Sequence, residues 1–192
     1  MGYDNTLANL VVGIATELNW RLDQPSNGDR PTIGSKDGRY HIRIAYVWNN
    51  PAKIEIDGVY PHTKKGESVT WRIDQPKIAC SVNRGAAAIA KDIRRRFFPP
   101  YFETMEEAEA RVAAADEENA RHEALIARFA TILGQQPDKY HNDHFYLYGD
   151  KLHATATVYS SSVRLDLHSL TPDLAEQICL LLAPHLRPEP RR

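Results

Sequence analysis

The stretch from Asn83 to Gly134 constrains this chain most. Behind Asn83, a residue suited to cap a helix, Ala86, Ile89, Ala90, Ile93 and Phe97 recur at helical spacing. Pro99 and Pro100 follow. Two prolines remove two backbone donors and restrict Phe98, so a break or kink is expected there. Glu103 to Leu133 is then a run of Ala, Glu and Arg without Gly or Pro, which predicts one long helix.

The flanks read as strands and helices in a consistent order. Leu7, Leu10, Val11, Ile14 and Leu18 form one face of a helix over Thr6 to Asn19, capped by Asn5 or Thr6. Residues 21–38 hold Pro25, Ser26, Asn27, Gly28, Asp29, Pro31, Gly34 and Gly38, and read as a long loop. Four alternating runs follow, each with one apolar face: Tyr40, Ile42, Ile44, Tyr46 and Trp48; Ile54 and Ile56, with Lys53, Glu55 and Asp57 outward; Val69, Trp71 and Ile73; and Ile78, Cys80 and Val82. After Gly134 there are three more. Phe145 and Leu147 face inward on the first, Leu152, Ala154, Ala156 and Val158 on the second, and Val163, Leu165 and Leu167 on the third, with turns at Gly149-Asp150 and Ser160-Ser161-Ser162. Thr171-Pro172-Asp173 opens a last helix whose buried side is Leu174, Ile178, Leu181 and Leu182, and residues 187–192 read as a frayed tail.

The two halves resemble each other. Leu10 to Leu18 aligned with Leu125 to Leu133, an offset of 115, gives four identities and three apolar exchanges. Ile89 to Ile93 aligns with Leu174 to Ile178 at an offset of 85, and Pro99 with Pro184. The expected fold is α+β: two helix–antiparallel sheet–helix units, an internal duplication in form, joined through the long central helix. Residues 1–100 would hold a helix, a four-stranded meander and a helix, and residues 101–192 the long helix, a three-stranded meander and a C-terminal helix.

Charge is segregated along the central stretch. Arg84, Lys91, Arg94, Arg95 and Arg96 against Asp92 give a local net of +4. Glu103, Glu106, Glu107, Glu109, Asp116, Glu117, Glu118 and Glu123 against Arg111 and Arg121 give -6. A basic cluster can neutralise phosphates, and an acidic helix can present carboxylates to a basic partner; both patterns also suit solvated helix faces. Met105, Ala108, Val112, Ala115, Asn119, His122, Ile126, Phe129 and Leu133 follow 3-4 spacing. That seam suits either a homodimer, with Met105, Val112, Asn119 and His122 at its interface, or packing within the chain. On the outward faces of the later strands Tyr146, Tyr148, His153, Tyr159 and Arg164 form a second candidate protein-binding surface, since aromatic bodies bury area at little entropic cost.

Catalytic and cofactor signatures are lacking. Tyr140-His141-Asn142-Asp143-His144 offers two histidines and a carboxylate but no further ligand at a recognised spacing, so no metal site is expected. No nucleophile elbow, phosphate loop or dinucleotide fingerprint occurs, and the reading is of no enzyme and no cofactor. A net charge of -1 leaves no bulk attraction to nucleic acid or to acidic membranes. The start of the chain lacks a basic signal region and no apolar run suits a span, so a cytoplasmic location without membrane contact is expected. Cys80 and Cys179 read as buried free thiols.

The run Ile89-Ala90-Lys91-Asp92-Ile93-Arg94-Arg95-Arg96-Phe97-Phe98-Pro99-Pro100-Tyr101, leading into an Ala/Glu/Arg-rich helix, resembles small proteins carried by phages and other mobile elements of high-GC bacteria. The resemblance covers about a quarter of the chain and no functional motif, and those proteins largely lack an assigned function. It implies a non-enzymatic protein that binds and blocks a host machine, including inhibitors of RNA-guided defence resembling anti-CRISPR proteins. The expected function is therefore a protein-interaction module that occludes a host nucleic-acid-handling complex; the alternative is direct DNA or RNA binding through the basic cluster.

Overall fold

The structure is a computed structural model that describes residues 5–23, 30–149 and 152–185. The readings of the extreme N-terminus, of Pro25 to Asp29, of Asp150 and of the tail fall outside those residues. The protein is α+β. Two compact units, Met1–Asp116 and Glu117–Arg192, divide the chain. The boundary lies inside the long helix rather than at the two prolines, because the first turns of that helix belong to the first core.

In the first unit, helix α1 (Asn5–Leu18) precedes a five-stranded antiparallel sheet. Its strands β1 (Arg21–Leu22), β2 (Thr32–Gly34), β3 (His41–Val47), β4 (Asn50–Val59) and β5 (Lys77–Ser81) lie side by side in chain order. Residues 21–38, expected as a long loop, thus contain two short strands at one end of the sheet, Leu22 pairing with Ile33 and Ile33 with Ile42. Val69, Trp71 and Ile73 do not form a strand. β5 occupies the edge of β4, with Lys53 opposite Ser81, and the Ile73 amide closes a turn onto the Thr70 carbonyl at 3.0 Å. Trp71 is consequently 71% exposed, and Trp48, in the β3–β4 turn, 89%. Asp57 is not outward either: it is buried and accepts from Arg43 Nε at 2.7 Å.

Helix α2 (Gly85–Asp92) begins after a 3-10 turn over Val82–Arg84, so Asn83 lies in that turn and caps nothing. The helical path then passes through a π-helical segment, Ile93–Phe97, into α3 (Phe98–Leu133), 36 residues and roughly 54 Å long. The chain does not leave the helix at the prolines; the irregularity expected there takes the form of this π segment. The Phe98 amide bonds to the Ile93 carbonyl, five residues back, so the hydrogen-bond register restarts there. Pro99 and Pro100 then occupy first-turn positions, where a missing amide proton costs little. Tyr101, Met105 and Ala108 of α3 join Val11, Ile14, Ile42, Ile44, Ile54, Ile56, Ile89, Ile93 and Phe97 in one core.

Burial in that core sets a pH limit. The Tyr60 phenol, desolvated and facing the Asp57 and Asp74 charges, is pushed up to about 12, and burial likewise raises Tyr101. Both prefer the neutral phenol when folded, so the stability they contribute is intact below pH 10.0, the ordinary tyrosine value. As pH rises above it, the unfolded chain ionises first and that stability is lost. Denaturant titrations between about pH 9 and about pH 11.5 should show a steepening fall, shallower in Tyr60→Phe.

In the second unit the last part of α3 packs on strands β6 (His144–Gly149), β7 (Leu152–Val158) and β8 (Val163–Leu170), an antiparallel sheet in that order. Phe145, Ala156 and Val158 form its core with Leu125, Ile126, Phe129, Ala130, Leu133 and Leu147 around them. Those five helix positions are the ones that Leu10, Val11, Ile14, Ala15 and Leu18 hold in the first core, 115 residues earlier. The helix ends also match. Asn19 and Gly134 both have positive φ, and the Trp20 and Gln135 amides bond back to the Ala15 and Ala130 carbonyls.

The final helix α4 (Pro172–Leu182) does not bury the side expected of it. None of its residues is buried, and Leu181 is 73% exposed. Val163 and Leu165 of β8 are exposed as well, and so is the Cys179 thiol, whereas Cys80 is buried. Among the described residues no helix is long and apolar enough to cross a membrane.

Candidate functional site

The first turns of α3 carry a hydrophobic face inward and carboxylates outward, and one stretch of the outward side is concave. A cavity of about 320 Å3 is lined by Ile73, Asp74, Pro76, Pro100, Glu103, Thr104 and Glu107. Glu103 and Glu107 stand one helical turn apart on the same face of α3. Asp74 comes from the turn segment that leaves the sheet between β4 and β5. Thr104 Oγ1 donates back to the Pro100 carbonyl at 2.8 Å, one turn earlier on the helix. Three carboxylates thus line a cavity that contains no basic lining residue. Glu107 also accepts from Arg111 Nη2 at 2.7 Å on the outer side.

Such a site accepts a cation. A guanidinium or ammonium entering it would form charge-assisted hydrogen bonds with the carboxylates, while the proline rings and Ile73 lie against its aliphatic stem. Two residues before Ile73 stands the exposed Trp71, with the Arg72 guanidinium 4.0 Å from its ring centroid. Exposed tryptophans of this kind are frequent anchors in protein interfaces.

The other acidic residues of the helix have different roles. Glu109 grips Arg39 through two bonds, 3.0 Å to Nε and 2.6 Å to Nη2, and so ties α3 to the turn before β3. Asp116 accepts the Lys64 amide at 2.9 Å. Glu117 pairs with Arg121 one turn on, while Glu106 and Glu118 are exposed away from the cavity lining. Spacing alone could not separate these roles. No local pattern singles out Asp74, because its approach to α3 depends on the course of the whole 60–76 segment.

The basic cluster is largely occupied. Arg84 bonds the buried Asp92 carboxylate, Arg95 stands 3.6 Å from the same group, and Arg94 donates to the Glu17 carbonyl of α1. Lys91 and Arg96 are exposed. The helical seam is also used within the units: Met105 is buried in the first core, and His122 Nε2 lies 2.8 Å from the Val158 carbonyl in the second. Val112 and Asn119 between them are half-buried. The homodimer seam is thus not free along its length.

On the outer face of the second sheet, strand pairing brings Tyr148 opposite His153, with ring centroids 4.6 Å apart, and Tyr146 opposite Thr155. Arg164 bonds Asp166, and Tyr159 lies at the turn beside it. These residues do share one face. His141 and His144 are held by Asp138 and Asp143, and no group of three or more histidine, cysteine or carboxylate side chains that could hold a metal ion occurs among the described residues. No protein-family model matches the chain, and neither a curated protein nor a solved structure matches it.

Proposed function

We propose that this is a non-catalytic interaction protein that docks the acidic side of α3 on a basic surface of a protein partner. The observation that carries this reading is the cavity lined by Asp74, Glu103 and Glu107, with the exposed Trp71 two residues before Ile73 of its wall. Its charge suits an arginine or lysine side chain, and the exposed Trp71 offers apolar area on the same segment as Asp74. The likeness of residues 89–101 to mobile-element proteins supports a partner class of matching charge: a host complex that handles nucleic acid, whose channel is basic and would be occluded.

Direct binding of nucleic acid is the weaker reading, since Arg84, Arg94 and Arg95 already have partners in their own unit. Affinity capture from a bacterial lysate, with and without nuclease, separates the two. Wild-type protein should retain a defined protein set after nuclease treatment, and a variant carrying Asp74→Lys, Glu103→Lys and Glu107→Lys should lose it. Capture that disappears with nuclease, or that survives the triple reversal, removes the proposal.

A further inference from the structure

The loop between α3 and β6 fixes two imidazoles side by side. Its Asp138 amide bonds to the His144 carbonyl at 2.7 Å, and the His144 amide to the His141 carbonyl at 2.8 Å. Asp138 Oδ1 accepts the Tyr140 and His141 amides, both at 2.9 Å. The segment is therefore closed by its own backbone, and the rings of His141 and His144 stand with centroids 5.2 Å apart.

The neighbouring carboxylates decide which ring nitrogens are free. His141 Nδ1 lies 3.3 Å from Asp138 Oδ1, and His144 Nδ1 2.8 Å from Asp143 Oδ1. An ionised carboxylate only accepts, so each Nδ1 carries the proton and each Nε2 of the neutral ring keeps its lone pair. The bond from His144 holds the Asp143 carboxyl below the usual carboxylate range, which keeps that acceptor ionised. Among the described residues neither Nε2 is hydrogen-bonded, whereas His41 and His122 spend theirs on the Gly38 and Val158 carbonyls. The two side chains are 61% and 31% exposed, so a solute reaches both. A carboxylate behind Nδ1 and a free Nε2 in front is the support that metal-bound histidines have.

The spacing narrows the choice of ion. A ring bound through one nitrogen holds its centroid about 3.2 Å from the metal, so two rings stand about 5.2 Å apart on a tetrahedral ion and about 4.5 Å apart on a square-planar one. The observed separation is the tetrahedral one. Zinc takes imidazole in that geometry; copper(II) prefers the other.

We propose that His141 and His144 bind a zinc ion through their Nε2 atoms, with Asp138 and Asp143 orienting the rings and water in the remaining positions. No third histidine, cysteine or carboxylate joins the pair among the described residues, so the ion is held reversibly at the surface and the fold does not depend on it.

Calorimetric titration of the full chain with zinc chloride to about 1 mM, near pH 7.5, tests this. Wild type should bind one ion, and His141→Ala and His144→Ala should each weaken binding more than about tenfold, with Asp143→Asn costing roughly tenfold. His153→Ala, on the outer face of the second sheet, should bind as wild type does. Circular dichroism should show each variant folded, and in wild type zinc should shift the 15N resonances of Nε2 on both rings. A wild-type chain that binds no zinc overturns the proposal. So does binding that survives either alanine substitution at His141 or His144, or zinc-dependent shifts at Nδ1 instead of Nε2.

Discussion

Replacing Tyr101 with alanine should lower unfolding stability by about 3–5 kcal/mol, enough to leave a small domain largely unfolded. Tyr101 has no exposed surface and sits at the centre of an aromatic group. Its ring stacks on Phe97 at 5.0 Å and meets the edges of Tyr40 and Tyr60 at 6.1 and 5.7 Å. Gly58 of β4 is glycine because any side chain there would overlap the Tyr101 ring. The hydroxyl lies 2.8 Å from the His41 carbonyl and 3.2 Å from that of Val59, and accepts the His41 amide at 3.2 Å. One side chain therefore fastens the start of α3 to two neighbouring strands. Tyr101→Phe keeps the ring and strands those buried polar groups, so about 1–3 kcal/mol is expected to go. Chemical denaturation resolves the two variants; a phenylalanine variant as stable as wild type would show the hydroxyl bonds to be dispensable.

Arg84→Ala is expected to destabilise the first unit by about 2 kcal/mol, somewhat less than a fully buried pair would, because the arginine is about half exposed. Its partner Asp92 is buried at the end of α2, with Arg95 as the only other cation found near it among the described residues. Removing Arg84 leaves a carboxylate in a poorly solvated place, whereas removing the charge as well, in Arg84→Ala with Asp92→Asn, should restore part of the loss. Thermal melts of the single and double variants read this directly. If the double variant melts no higher than the single, the cost comes from lost packing of the arginine stem instead. Arg84 would then still be structural, and its charge would be a poor guide to nucleic-acid binding.

The sequence by itself determined the elements whose signal is local. Alternation located β3, β4, β5 and the strands of the second sheet, helical spacing located all four helices, and self-comparison paired Leu10 to Leu18 with Leu125 to Leu133. These were legible because side-chain period follows backbone geometry residue by residue. Tertiary structure decided where partners compete for one place. β5 took the edge of β4 beside which Val69, Trp71 and Ile73 were expected, a π segment absorbed the two prolines, and α4 was left with none of its residues buried. It also sorted the carboxylates of α3, identical in sequence character, into Glu109 and Asp116, which hold the fold, and Glu103 and Glu107, which line a cavity with Asp74. Such outcomes depend on distances between segments far apart in the chain, and no local pattern records those distances.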